Sequence, residues 1–198
     1  MSAMEKFQSQ IEKVLVPLAS KLNSQRHICA VRDSFILTFP LTMAGSLMVL
    51  LNFVLLSPDG FICKLLRLNK IFPNIGECQA IFSPVLKGST DILAILIAFL
   101  IARNLAKQLK SDDLLSGLTA VSVYFIIYSD YVNVDGVNYL TTKFMGAQGL
   151  FVAIIVGLVV GELMSVLSKS KRLEIKMPEQ VPPAVARTFK LLLPIVII

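Results

Sequence analysis

The residues that could do chemistry in this chain are few and far apart. His27 is the single histidine, in the polar run Gln25-Arg26-His27. No acid or thiol stands at a spacing that would pair with it, so it reads as a solvated residue and not a catalyst. Asp91 follows Ser89-Thr90 at the head of an apolar run. A carboxylate there could act inside a membrane, but Ser, Thr and Asp at a helix start also satisfy free amides and the helix dipole, and the sequence favours that cap. Glu162 is the only charge in 147–167. It lies in the last third of that run, where reaching water or pairing with a basic residue is favoured over proton transfer. One such Asp and one such Glu make no general acid/base pair, so no catalytic residue is assigned. Cys29, Cys63 and Cys78 are too few and too scattered for a zinc site or a disulfide framework. Cys63 and Cys78 share one segment, where a disulfide could form but is not favoured. Neither a phosphate-binding loop nor a dinucleotide fingerprint occurs, so no cofactor and no metal are expected. The remaining pattern is Gly157-x-x-x-Gly161, extended one turn back by Ala153. Small residues at that spacing let two helices approach closely, between protomers or otherwise. Membrane helices are glycine-rich in any case, and the two readings stand level.

The elements that must carry these residues are set by composition. Of 198 residues, 55% are hydrophobic and only 16% charged, with a mean hydropathy of +0.74. Soluble domains average roughly 25% charged residues, so the deficit points to lipid as solvent. The net charge of +6 is not a nucleic-acid footprint. Its lysines and arginines fall in short clusters beside apolar runs, as in cytoplasmic loops of membrane proteins. Residues 147–167 settle the class: about 21 residues without proline span about 30 Å as a helix, the thickness of a bilayer core.

The other elements follow in order. Residues 4–23 place Phe7, Ile11, Val14, Leu15, Leu18 and Leu22 at helical spacing, an amphipathic helix kinked or interrupted by Pro17. Lying in the cytoplasmic interface is favoured over packing on the protein. Residues 35–56 form a first span, with Thr42, Gly45 and Ser46 as a small face. Residues 61–87 mix Lys64, Arg67 and Lys70 with apolar residues, are punctuated by Pro73, Gly76 and Pro84, and read as an extracytoplasmic excursion. Residues 91–106 make a second span. A third, 114–131, is capped by Ser111-Asp112-Asp113 and ends in a belt of Tyr124, Phe125, Tyr128 and Tyr131. Residues 129–142 read as an outside loop, and 147–167 as the fourth span. Three prolines between Met177 and Pro183 stop any helix, and an incomplete fifth span, 189–198, follows. The fold expected is therefore an all-α polytopic membrane protein: an N-terminal amphipathic helix, four transmembrane helices and the start of a fifth. With the N-terminus cytoplasmic, 14 of the 19 basic residues fall on the inner side.

Two stretches carry a resemblance. EKVLVPLASKLNSQRHICAVRDSFILTFPLTMAGSL, from Glu12 to Leu47, and LEIKMPEQVPPAVARTFKLLLP, from Leu173 to Pro194, resemble the lactose/cellobiose-type enzyme IIC, the membrane permease component of the bacterial phosphoenolpyruvate-dependent sugar phosphotransferase system. The proline-rich junction is the more specific part, and GLVVGELM with its basic loop matches in order. The similarity covers residues 1–198 but only about the first half of that family's domain, and the chain looks cut inside its fifth span. The resemblance implies a homodimeric, multi-pass protein of the bacterial inner membrane. Its partners would be the lipid bilayer and a IIB-type phosphocarrier, with coupled uptake and phosphorylation of a disaccharide such as cellobiose, diacetylchitobiose or lactose. In that family the sugar-holding residues lie in the other half, so no substrate-binding residue is assigned, and transport by this chain alone is not expected. The alternative is a small membrane scaffold or regulatory protein acting through helix–helix contacts.

Overall fold

A computed structural model describes residues 3–57, 59–66, 75–128, 131–173, 175, 178 and 181–198. Its helices are α1 (Ala3–Ser24), α2 (Arg26–Leu50), α3 (Phe61–Leu65), α4 (Ile75–Lys87), α5 (Leu93–Gln108), α6 (Asp113–Ile127), α7 (Leu150–Ser168) and α8 (Pro183–Ile197). One antiparallel hairpin joins β1 (Tyr131–Val134) to β2 (Val137–Leu140).

Helix α5 is the centre of the bundle, with α2, α6 and α7 all packed on it. Ala94, Ala98, Ala102 and Ala106 recur every four residues along one side and are fully buried. Such a stripe has no side-chain bulk to hold a neighbour away, and α7 answers it with Ala153, Gly157 and Gly161. Ile97, Ile101, Tyr124, Val156 and Val160 complete the core. The outer surfaces of these helices are apolar too: Phe39, Phe53, Ile126, Phe151 and Val166 are exposed. A chain with apolar residues on the inside and the outside alike is built for lipid.

Three helical runs among the described residues are long and apolar enough to cross a membrane: Arg26–Leu55, Phe82–Gln108 and Ala147–Ser168. The first begins well before residue 35, because Arg26, His27 and Arg32 continue the helix and do not precede it. It ends in a π-helical turn, Leu51–Leu55, closed by Leu56 N–H donating to the Leu51 carbonyl at 2.8 Å. The second begins nine residues earlier than 91. Pro84 sits inside α4 and does not break it, and a short 3₁₀ turn at Thr90–Ile92 leads into α5. The expected third span, 114–131, is shorter in the structure. Helix α6 stops at Ile127 and has 15 residues, below the ~20 that a bilayer needs.

The all-α expectation is corrected at residues 131–140. Tyr-Val-Asn-Val-Asp-Gly-Val-Asn-Tyr-Leu alternates around Asp135-Gly136, whose φ values of 51° and 82° make the left-handed pair that a two-residue hairpin needs. Asp135 accepts that conformation at modest cost, and Gly136 at none. Helix α1 runs through Pro17 without interruption. Residues 67–74 of the expected excursion, and parts of the proline-rich junction, lie outside the described residues.

Candidate functional site

The α5–α7 interface is the site that the sequence singled out, and the geometry there is tight. A Cβ built on Gly157 would stand 2.8 Å from Ile101 Cβ and 3.0 Å from the Ala98 carbonyl oxygen. On Gly161 it would meet the Ala102 carbonyl oxygen at 3.1 Å and Leu105 Cβ at 3.2 Å. Ala153 is fully buried on the same side. All three small residues face α5 of their own chain. Of the expected small face on α2, Gly45 lies close to Ser89 and Thr90. Ser46 is exposed and bonds back to the Thr42 carbonyl. The buried polar residues of α2 are instead Ser34 and Thr38.

Polar contacts cross-link the packed helices. Asn104 Nδ2 of α5 donates to Ser34 Oγ of α2 at 2.9 Å, and Ser34 Oγ donates on to the Ala30 carbonyl. His27 Nε2 stands 3.4 Å from Glu162 Oε2, so the lone histidine and the lone charge of the fourth span meet across 135 positions of sequence. His27 thus stands beside Glu162, with both side chains about half exposed, and nothing short of the tertiary fold could have brought the two together. At the far end of the bundle, Tyr124 is buried and not part of an exposed belt. Its hydroxyl donates to the Phe144 carbonyl at 2.5 Å. Phe144 stacks on Tyr128 with centroids 4.7 Å apart. The start of α7 is so crowded that a Cβ on Gly149 would lie 1.9 Å from the Phe144 oxygen and 2.0 Å from Tyr124 Oη.

The two expected caps divide. Asp112 is the N-cap of α6 and accepts from the Leu115 amide at 3.0 Å. Burial works against its charge, but the Arg187 hydrogen bond and the Leu115 amide outweigh it and hold its carboxyl below the ordinary range. Asp91 makes no side-chain cap bond but stands in the first turn of the 3₁₀ stretch Thr90–Ile92 that leads into α5, the other position expected of it, and the Ala94 amide donates to the Met145 carbonyl at 2.8 Å. Backbone from the turn before α7 thus takes the role that a carboxylate would have played. Cys29 donates to the Asn23 carbonyl. The Cys78 side chain lies outside the described ones, and with it the Cys63–Cys78 pairing. Among the described residues no group of three His, Cys, Asp or Glu could hold a metal.

This arrangement can hold helices at fixed distances. Comparisons with known proteins agree on what such a bundle belongs to. The family model "Phosphotransferase system, EIIC" matches residues 32–198. A cellobiose-specific EIIC component of Geobacillus stearothermophilus is 32% identical over 96% of this chain and 43% of its own length. An oligo-beta-mannoside-specific EIIC component of Bacillus subtilis is 29% identical over 93% of this chain and 40% of its own. The crystal structure of ChbC, the IIC component of an N,N'-diacetylchitobiose-specific phosphotransferase system, superposes with a TM-score of 0.75 at 30% identity, covering 94% of this chain and 44% of that one. The chain spans less than half the length of these relatives. It belongs to the EIIC family, the membrane components of the phosphotransferase system.

Proposed function

We propose that this chain is the scaffold portion of a permease that takes up a disaccharide such as cellobiose, diacetylchitobiose or lactose with coupled phosphorylation. The observation that carries the reading is the close-packed α2–α5–α6–α7 bundle, which matches under half of a IIC structure. In this reading the bundle is the fixed body against which a sugar-binding portion moves. Contacts to sugar belong to the part of the relatives that this chain does not span. It acts as a homodimer with a IIB-type phosphocarrier, in the bacterial inner membrane. The N-terminus is cytoplasmic, since the clusters around Arg26, Lys107 and Lys171 then share the inner side. Helix α1 lies in the interface: Ile11, Leu15, Val16 and Leu22 are exposed, as apolar residues facing lipid would be.

The test is calorimetry on the folded, detergent-purified chain with cellobiose, diacetylchitobiose and lactose in turn. No heat of binding with any of them is expected. Saturable binding would overturn the reading and place sugar contacts within this bundle.

A further inference from the structure

At the end of the bundle where α5 and α7 finish and α6 begins, an open cavity of about 600 Å³ is lined by Lys110, Lys169, Lys171, Arg187, Lys190 and, among the described residues, a single carboxylate, Asp112. That carboxylate is engaged, because Arg187 Nε donates to it. The next acid along the chain, Asp113, pairs with Arg103 at 3.3 Å. Lys169 is fixed by its bonds to the Leu109 carbonyl at 2.9 Å and Ser165 Oγ at 3.2 Å. Lys110 and Lys171 pair with no carboxylate among the described residues.

The conformation of Lys110 singles it out. The Ser111 amide donates to the Ala106 carbonyl and the Lys110 amide to the Lys107 carbonyl, the two bonds of a Schellman helix end. Lys110 takes the left-handed position of that motif, with φ 56°, which helices usually give to glycine. A lysine held there against local preference, at the rim of a cationic cavity, is the pattern of a residue kept for its charge.

We propose that this cavity binds the phosphate of an anionic phospholipid headgroup. The cavity sits at the ends of α5 and α7, where two membrane-length apolar runs stop, which is headgroup depth. The apolar Leu191 lines it beside the cations, and Leu192, next to it, is exposed. A charged pocket with apolar flanks at that depth suits a headgroup and its chains better than a soluble anion. The inference does not depend on the sugar-permease reading.

The test is lipid titration of the detergent-purified chain, followed by native mass spectrometry and by melting temperature. The probes are phosphatidylglycerol, phosphatidylcholine and inorganic phosphate. Phosphatidylglycerol should be retained and should raise the melting temperature, and phosphatidylcholine should not. Affinity should fall about fivefold for each lysine removed, hence roughly 30-fold in the Lys110→Gln/Lys171→Gln double variant. Lys110→Gly keeps the case falsifiable should that variant misfold. Relieving the left-handed lysine should raise the lipid-free melting temperature by about 2–4 °C while weakening phosphatidylglycerol. Equal affinity for both lipids, or an unchanged affinity in the variants, would overturn the proposal. An equal response to inorganic phosphate would overturn it in favour of a free-anion site. The same lysine dependence with a polyglutamate peptide but not with lipid would do so in favour of protein docking.

Discussion

Replacing Gly157 by alanine tests whether the small face of α7 serves its own chain. The added carbon would stand 2.8 Å from Ile101 Cβ and 3.0 Å from the Ala98 oxygen. Non-bonded carbons rest about 3.5–4.0 Å apart, so α7 must retreat from α5 by most of an ångström. A gap of about 0.5–1 Å forfeits a quarter to a half of each contact it opens, and overpacking of a tight core costs about 1–3 kcal/mol. Alanine returns about 1 kcal/mol of helix propensity. The net expectation for Gly157→Ala is a loss of about 1 kcal/mol, or about 2–4 °C in melting temperature. At Gly161 the nearest atoms stand at 3.1 and 3.2 Å. That clash is mild enough for the propensity gain to cancel it, so Gly161→Ala should be neutral within about 0.5 kcal/mol. Gly157→Ile should lower the melting temperature much further, with the same mass by light scattering until the chain unfolds. The assay is thermal unfolding in detergent beside size-exclusion light scattering. A Gly157→Ile chain that melts like the parent but changes oligomeric state would refute the reasoning, because the glycine would then serve a second protomer.

Two further perturbations follow from the ends of the bundle. Tyr124→Phe removes the donor to the Phe144 carbonyl and should cost about 1–3 kcal/mol in unfolding free energy; Gly149→Ala, which drives a carbon into both groups, should cost more, and a milder effect than Tyr124→Phe in parallel melts would refute the crowding described at that turn. Asp112 is a carboxylate whose folded-state pKa is lowered, so its contribution is present above the unfolded value, about 3.9, and is lost as pH falls through the folded value. Melting temperature should therefore drop more steeply below about pH 4 in the parent than in Asp112→Asn, and identical acid limbs would count against the Arg187 pair.

The helices were legible because long apolar runs with basic ends leave few alternatives, and Asp112 because a cap acts on amides within its own turn. What escaped has a physical pattern. His27 and Glu162, or Asn104 and Ser34, meet only once α2 and α7 have packed around α5, and no local spacing records that. Asp91 has the composition of a cap, but tertiary packing supplies a backbone carbonyl from Met145 first. Tyr124 has the look of an interfacial tyrosine, yet its hydroxyl finds a buried carbonyl. The hairpin was different, since Asp135-Gly136 between alternating valines and asparagines is a strong local signal, overridden by the apolar weight of the span before it.

The π-helical turn at Leu51–Leu55 makes α2 adjustable in length. A π turn carries one residue more than the α-helix needs, so a one-residue deletion there can be absorbed by reverting to α geometry. Everything before it, including the buried Ala30, Ser34, Thr38 and Gly45, would keep its register. Everything after it, from Ser57 to the buried Cys63, would keep its direction too, because the residue lost is the surplus one and the roughly 100° that a residue adds in a plain α-helix never enters the register. The turn is thus a local buffer of length, at which loss of one residue is taken up without re-aiming the following segment or unpacking the core.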